Sequence, residues 1–75
     1  MPKLPAISGK ELVRVLVRNG FVLKRQSSSH FLVEHADGRV SKIPAHRNKD
    51  LPKGTLRAIL RDLEITNEDL KRMFN

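Results

Sequence analysis

Leu12, Val13, Val15 and Leu16 make an apolar stripe between polar positions, the spacing of one buried helical face. Ser8 precedes the stripe and Glu11 follows three residues later, a capping box that satisfies orphan N–H groups of a helix start. Ile7 and Leu12 hold the positions of a hydrophobic staple, and Asn19-Gly20 supplies a left-handed stop. The spacing predicts a first helix over Gly9–Arg18.

The period then shortens. Phe21 to Gln26 reads as a strand, Ser27 and Ser28 as a turn, Ser29 to His35 as a second strand, and Asp37-Gly38 as a hairpin signal. Arg39 to Ile43 pairs back as a third strand, which Pro44 ends. A loop from Ala45 to Asp50 leads to Pro52, a good first-turn residue, and Leu56, Ile59, Leu60 and Leu63 recur on a buried helical face. Thr66 with Asp69 makes another capping box, with Ile65 and Leu70 as its staple, so Asn67–Met73 is predicted to be a short third helix. The expected fold is α+β, in the order α-β-β-β-α with a short C-terminal helix, two helices packing on one face of a three-stranded antiparallel sheet. This is the layout of double-stranded RNA-binding domains. One domain is expected over residues 1–75, with 1–7 as an N-terminal extension and 66–75 as the terminal helix.

Composition narrows the setting. A chain of 75 residues with 39% apolar residues, no Trp or Tyr and three Phe builds a small core from Leu, Ile and Val, so modest stability is expected. Without cysteine, neither a disulfide framework nor a thiolate zinc site holds it together, and a reducing cytoplasm fits. No stretch has the length and apolarity of a signal peptide or membrane span, so a soluble, cytoplasmic protein is expected.

The net charge of +7 and pI near 10.6 favour a polyanionic partner, most often nucleic acid. Thirteen basic and four acidic residues lie at or before Arg61, a balance of +9, against −2 from Asp62 onward. The polyanion is therefore expected on the first four-fifths of the chain. Lys10, Arg14 and Arg18 recur at four-residue spacing on the first helix, and Lys53, Arg57 and Arg61 on the second. Each ridge is either an ordinary solvated face or a surface whose self-repulsion a polyanion relieves.

His30 opens the second predicted strand in Ser27-Ser28-Ser29-His30-Phe31. A two-residue turn at Ser27 and Ser28 puts Arg25 opposite His30 on one sheet face, with Leu23 and Leu32 behind. That environment favours a neutral, proton-accepting ring, whose tautomer a neighbouring serine can fix. Spacing alone still favours an ordinary turn histidine. His35 and His46 have no helical spacing and no carboxylate pair suited to zinc, and no metal or cofactor is expected. Paired carboxylates, a G-x-S-x-G elbow and a phosphate-cradling glycine loop are absent.

Taken in order, Gly20-Phe21, Arg25-Gln26, Ser29-His30, Ile43-Pro44, His46 and Lys53-Gly54-Thr55-Leu56-Arg57-Ala58-Ile59-Leu60 resemble the HicA family of bacterial and archaeal toxins, over about Ser8 to Ile65. The resemblance implies a double-stranded RNA-binding-like fold, cleavage of messenger RNA, and neutralisation by a HicB-type antitoxin. It maps the family's catalytic histidine onto His30, reversing the reading from spacing. The family commonly has Gly-Ser-His where this chain has Ser28-Ser29-His30, and often a second histidine where Phe31 stands. The tail from Thr66 extends past the usual family end.

Residues and resemblance together lead to the expectation of a metal-independent endoribonuclease with His30 as general acid/base, Arg25 or Lys24 stabilising charge, and Lys10, Arg14, Ser29, Arg47, Lys49, Lys53 and Arg57 holding RNA. The antitoxin is expected to bring an acidic surface to these ridges or the His30 rim. The competing class is a module that grips duplex RNA without cutting it. A DNA-binding role is disfavoured, since no helix-turn-helix emerges.

Overall fold

The computed structural model describes residues 4–45 and 49–74. Its elements run α1 (Gly9–Arg18), β1 (Phe21–Gln26), β2 (His30–His35), β3 (Val40–Pro44), α2 (Lys53–Asp62) and α3 (Asn67–Met73). The strands form one antiparallel sheet in the order β1-β2-β3, which is the predicted α+β arrangement. No helix among the described residues is long and apolar enough to cross a membrane.

Strand alternation sends Phe21, Phe31, Val33, Ser41 and Ile43 to one face, where they are buried. They share a core with Leu12 and Leu16 of α1, Leu56, Ile59 and Leu60 of α2, and Leu70 of α3. The other face carries Val22, Arg25, His30, Leu32, Glu34, Val40 and Lys42 and has no helix over it.

Helix ends show what stops and starts each element. Ser8 accepts the Glu11 N–H at 3.2 Å and donates its hydroxyl to the Glu11 carboxylate at 3.1 Å. Reciprocity therefore runs through the cap side chain, whereas Thr66 and Asp69 form the full backbone box at α3. Gly20 takes φ +97° to leave α1. Pro52 is the residue before α2, with ψ 144°, and not inside its first turn as the sequence pattern predicts. The reason is that Asp50 and Leu51 are held extended against Ser8 and Ile7, with Leu51 N–H on the Ile7 carbonyl at 2.8 Å.

α2 ends without a glycine. Ile65 N–H reaches the Leu60 carbonyl at 2.8 Å and Glu64 N–H the Arg61 carbonyl at 3.1 Å, with Glu64 at φ 56°. These are the two bonds of a Schellman motif. Buried Ile65 and Leu60 supply its apolar contact.

The connections sort the molecule into two ends. The hairpin after β1, the start of β2, the end of β3 and the starts of α1 and α2 gather at one end. There Gly9 abuts Pro44, and Ser8 pairs with Asp50. At the other end Arg39 donates to Asp37 at 2.8 Å and to the Leu63 carbonyl at 2.7 Å, and its guanidinium lies 5.3 Å from the Phe21 ring centre. Ser41 reaches Asp62 there at 3.0 Å.

Each end has its own sensitivity to change. A Cβ on Gly9 would overlap the Pro44 carbonyl oxygen, while one on Gly54 meets nothing within 4 Å. Gly9→Ala should lower stability by about 1–3 kcal/mol, and Gly54→Ala should leave it unchanged or raise it by up to about 1 kcal/mol; thermal melts distinguish them. At the far end the Arg39 side-chain bond holds the Asp37 carboxyl below its ordinary 3.8. A depressed acid contributes stability above its unfolded value and loses it as pH falls through the folded one. Melting temperature of wild type should therefore fall toward that of Asp37→Asn only below about pH 4. A gap that is unchanged down to pH 2 would contradict this.

Candidate active site

The hairpin that presents His30 is organised by the Ser27 side chain. Ser27 N–H donates to the His30 carbonyl at 2.9 Å, and the Ser27 hydroxyl oxygen accepts the N–H groups of Ser29 and His30 at 3.3 and 3.0 Å. Serine so placed substitutes for a backbone carbonyl in closing a turn. The loop is thus Ser28-Ser29, one residue later than the predicted Ser27-Ser28, and β2 begins at His30. Neither loop residue has positive φ. This turn therefore makes no demand for the glycine that the resemblance puts at Ser28.

The one-residue shift corrects the predicted pairing. Arg25 stands opposite Leu32, and Gln26 opposite Phe31. A bulge at Lys24 then reverses parity between Leu23 and Arg25, so Leu23 turns to the core and does not back His30. Arg25 still shares the open face with His30, as a diagonal neighbour. From β3, Lys42 stands opposite Leu32 on that same face.

These residues frame a cleft of about 370 Å³ lined by Arg25, Gln26, Ser27, His30, Leu32 and Lys42. His30 is exposed there. Among the described residues no carboxylate lies within ion-pair distance of Arg25 or Lys42. Two uncompensated cations and an imidazole thus surround an apolar floor, an arrangement able to hold a phosphate beside a proton acceptor.

The serines hold one edge of the ring. Ser27 has a single hydroxyl hydrogen, which points to the His30 carbonyl at 3.2 Å. Its two lone pairs already take the N–H groups of Ser29 and His30, so the 3.5 Å approach to the Ser29 hydroxyl adds no hydrogen bond. The Ser29 hydroxyl is thereby left to His30 Nδ1, 3.0 Å away, with which it forms a hydrogen bond in either direction. The bond engages Nδ1 and leaves Nε2 outside the serine network.

The other predicted positions distribute unevenly. Lys10 and Lys53 lie in the first turns of α1 and α2, at the same end as the hairpin, and Lys49 is exposed in the segment before α2. Arg14 and Arg57 are exposed one turn further along helices that cover the opposite sheet face, so none of these five lines the cleft. Lys24 is exposed in the bulge and is also outside it. Arg47 and His46 lie outside the described residues. Lys42 is the site residue absent from the sequence-based expectation; the alternation Val40-Ser41-Lys42-Ile43, with Ile43 inward, is the signal that could have found it. His35 packs edge-on against Phe21 at 5.0 Å, at the far end of the sheet. Among the described residues no three His, Asp or Glu side chains gather as metal ligands.

A protein-family model described as HicA toxin of bacterial toxin-antitoxin matches residues 9–65. No curated protein matches the chain. The matched span runs from the start of α1 to the Schellman turn and stops before α3.

The hydrogen-bond chain makes a spectroscopic prediction. With Ser29 bonded to Nδ1 and not to Nε2, the ¹⁵N shifts of the neutral His30 ring in wild type should report one tautomer in excess. Ser29→Ala should mix the two tautomers, and equal spectra would remove Ser29 as the orienting group.

Proposed function

Because the chain belongs to the HicA toxin family of bacterial toxin-antitoxin systems, we propose that it is a metal-independent endoribonuclease that cleaves messenger RNA with His30 as general acid/base, and that a HicB-type antitoxin neutralises it. The observation that carries the catalytic part is the exposed His30 ring, tied at Nδ1 by Ser29 and flanked by unneutralised Arg25 and Lys42.

In this reading His30 Nε2 accepts the proton of a ribose 2′-hydroxyl as that oxygen attacks the adjacent phosphorus. The bond from phosphorus to the 5′-oxygen breaks, the leaving oxygen takes a proton from water, and the His30 imidazolium returns its proton to the hydroxide so formed. Arg25 and Lys42 stabilise charge on the non-bridging oxygens of the phosphorane. Lys42 thereby takes the role expected of Lys24 from the sequence, because Lys42 lines the cleft and Lys24 does not.

Lys10, Lys49 and Lys53 lie at the same end and position the strand through its phosphates. The start of α2 supports this. Pro52 gives it no side-chain cap and its first turn has no acidic residue, so its first-turn N–H groups are open to a phosphate. Arg14, Arg57 and Arg47 remain RNA contacts in this proposal, further from the reacting phosphate.

The products are a 2′,3′-cyclic phosphate and a 5′-hydroxyl. Purified protein incubated with RNA in EDTA should cleave it, and His30→Ala should slow cleavage by about 10²- to 10⁴-fold. Lys42→Ala should slow it by about 10²-fold, while Lys24→Ala leaves the rate within a few-fold. Undiminished cleavage by His30→Ala would remove the histidine from the chemistry, and loss of wild-type cleavage on chelation would remove the metal-independent scheme. Harmless expression of wild type in cells, with RNA binding intact, would favour the non-cleaving double-stranded RNA-binding module.

A further inference from the structure

A second concavity lies away from the cleft, on the outer side of α1 where the end of α3 meets it. It is a groove of about 580 Å³ whose apolar lining is Val13, Val15, Val17 and Phe74, with Arg14 and Arg18 at its edge. Val17 and Phe74 are 45% and 38% exposed. The two helices are tied there by Asn19, whose side-chain amide donates to the Met73 carbonyl at 3.4 Å while bonding the Val15 carbonyl at 2.7 Å.

We infer that this groove anchors the neutralising protein partner through an acidic, amphipathic segment of that partner. The inference rests on membership of the toxin family, not on the ribonuclease mechanism. Charge complementarity selects the occupant. Among the described residues neither Arg14 nor Arg18 is paired with a carboxylate, and the groove's one acid, Glu11, is engaged by the Ser8 hydroxyl. An apolar floor bordered by two unmet cations fits apolar side chains carried beside carboxylates. A second copy of a chain with net charge +7 brings like charge to those cations. An RNA strand brings phosphates, but nothing aliphatic to bury against the valines.

A groove of this size seats a few side chains, the anchor of an interface and not its whole area. Its two walls have different origins. α1 falls within the family match, whereas Phe74 lies beyond residue 65, where that match ends. The wall contributed by α3 therefore makes the groove selective for this chain's own partner over those of relatives without the extension. It also separates docking from the His30 cleft, which opens on the uncovered face of the sheet.

Titration calorimetry of the purified chain with its cognate antitoxin tests this directly. Val17→Glu should weaken binding at least about tenfold and Phe74→Ala should weaken it several-fold, as for anchor positions. Val22→Glu, at an equally exposed valine on the open sheet face, should stay within about twofold. Melts verify folding; if Val17→Glu is unfolded, Phe74→Ala at the exposed end of α3 carries the test. RNA cleavage by Phe74→Ala should equal that of wild type. Unchanged antitoxin affinity in both groove variants overturns the inference, as does loss of RNA cleavage with antitoxin binding intact, which assigns the groove to RNA. Because calorimetry needs no cleavage, a wild type that binds antitoxin and leaves RNA uncut defeats the ribonuclease reading alone.

Discussion

The approach of Gly9 to the Pro44 carbonyl is the constraint that sets the arrangement of the site. It brings the first turn of α1 against the last residue of β3, closer than any side chain at Gly9 permits. Pro44 is in turn the partner of His30 across the sheet, and Ala45 N–H holds the Ser29 carbonyl at 2.8 Å. On the other side, Ser8 and Ile7 fasten the segment that leads into α2. One close backbone contact therefore draws two helix starts, a strand end and the histidine hairpin to one end. Both helix dipoles present their positive ends there, beside Lys10 and Lys53.

The hairpin works by a different device. Two-residue loops usually need positive φ to match the twist of the strands they join. Here Ser27 accepts two backbone N–H groups with its side chain, and the turn closes without that requirement. The same hydroxyl donates to the His30 carbonyl and, saturated, leaves the Ser29 hydroxyl to the ring. Backbone closure and ring orientation are consequently one network. A change at Ser27 acts on the turn and on the setting of the ring together.

Periodicity and capping chemistry make the helices legible: α1 and α3 occupy Gly9–Arg18 and Asn67–Met73, as Ser8, Asn19-Gly20 and Thr66 predict. β1 is equally plain. The hairpin register is not, because serines at 27, 28 and 29 offer three ways to close a turn, and the choice depends on which hydroxyl finds backbone donors. The Lys24 bulge leaves no mark in the pattern, so simple alternation puts Leu23 on the wrong face. Glu64 hides the end of α2, since a left-handed cap is ordinarily announced by glycine. Lys42 is within reach of alternation alone, but it lies outside the basic ridges of the helices, which dominate the charge pattern. Basic residues at helical spacing report solvent exposure. Which of them share a face with the imidazole depends on the sheet register.

On the ribonuclease reading, that distinction bears on the kind of RNA the site suits. The helix ridges lie on the side of the sheet opposite the cleft, and only the hairpin end, with Lys10, Lys49 and Lys53, joins the two surfaces. A rigid A-form duplex lying along the helices presents its phosphates to Arg14 and Arg57 and keeps its riboses away from His30. A flexible strand that turns around the hairpin reaches both. In-line attack by a 2′-hydroxyl also requires a backbone free to leave helical geometry, which a stacked duplex resists. On the ribonuclease reading, duplex grip and strand cleavage therefore belong to different surfaces of this small fold, and unpaired segments of a transcript are what the His30 cleft accommodates.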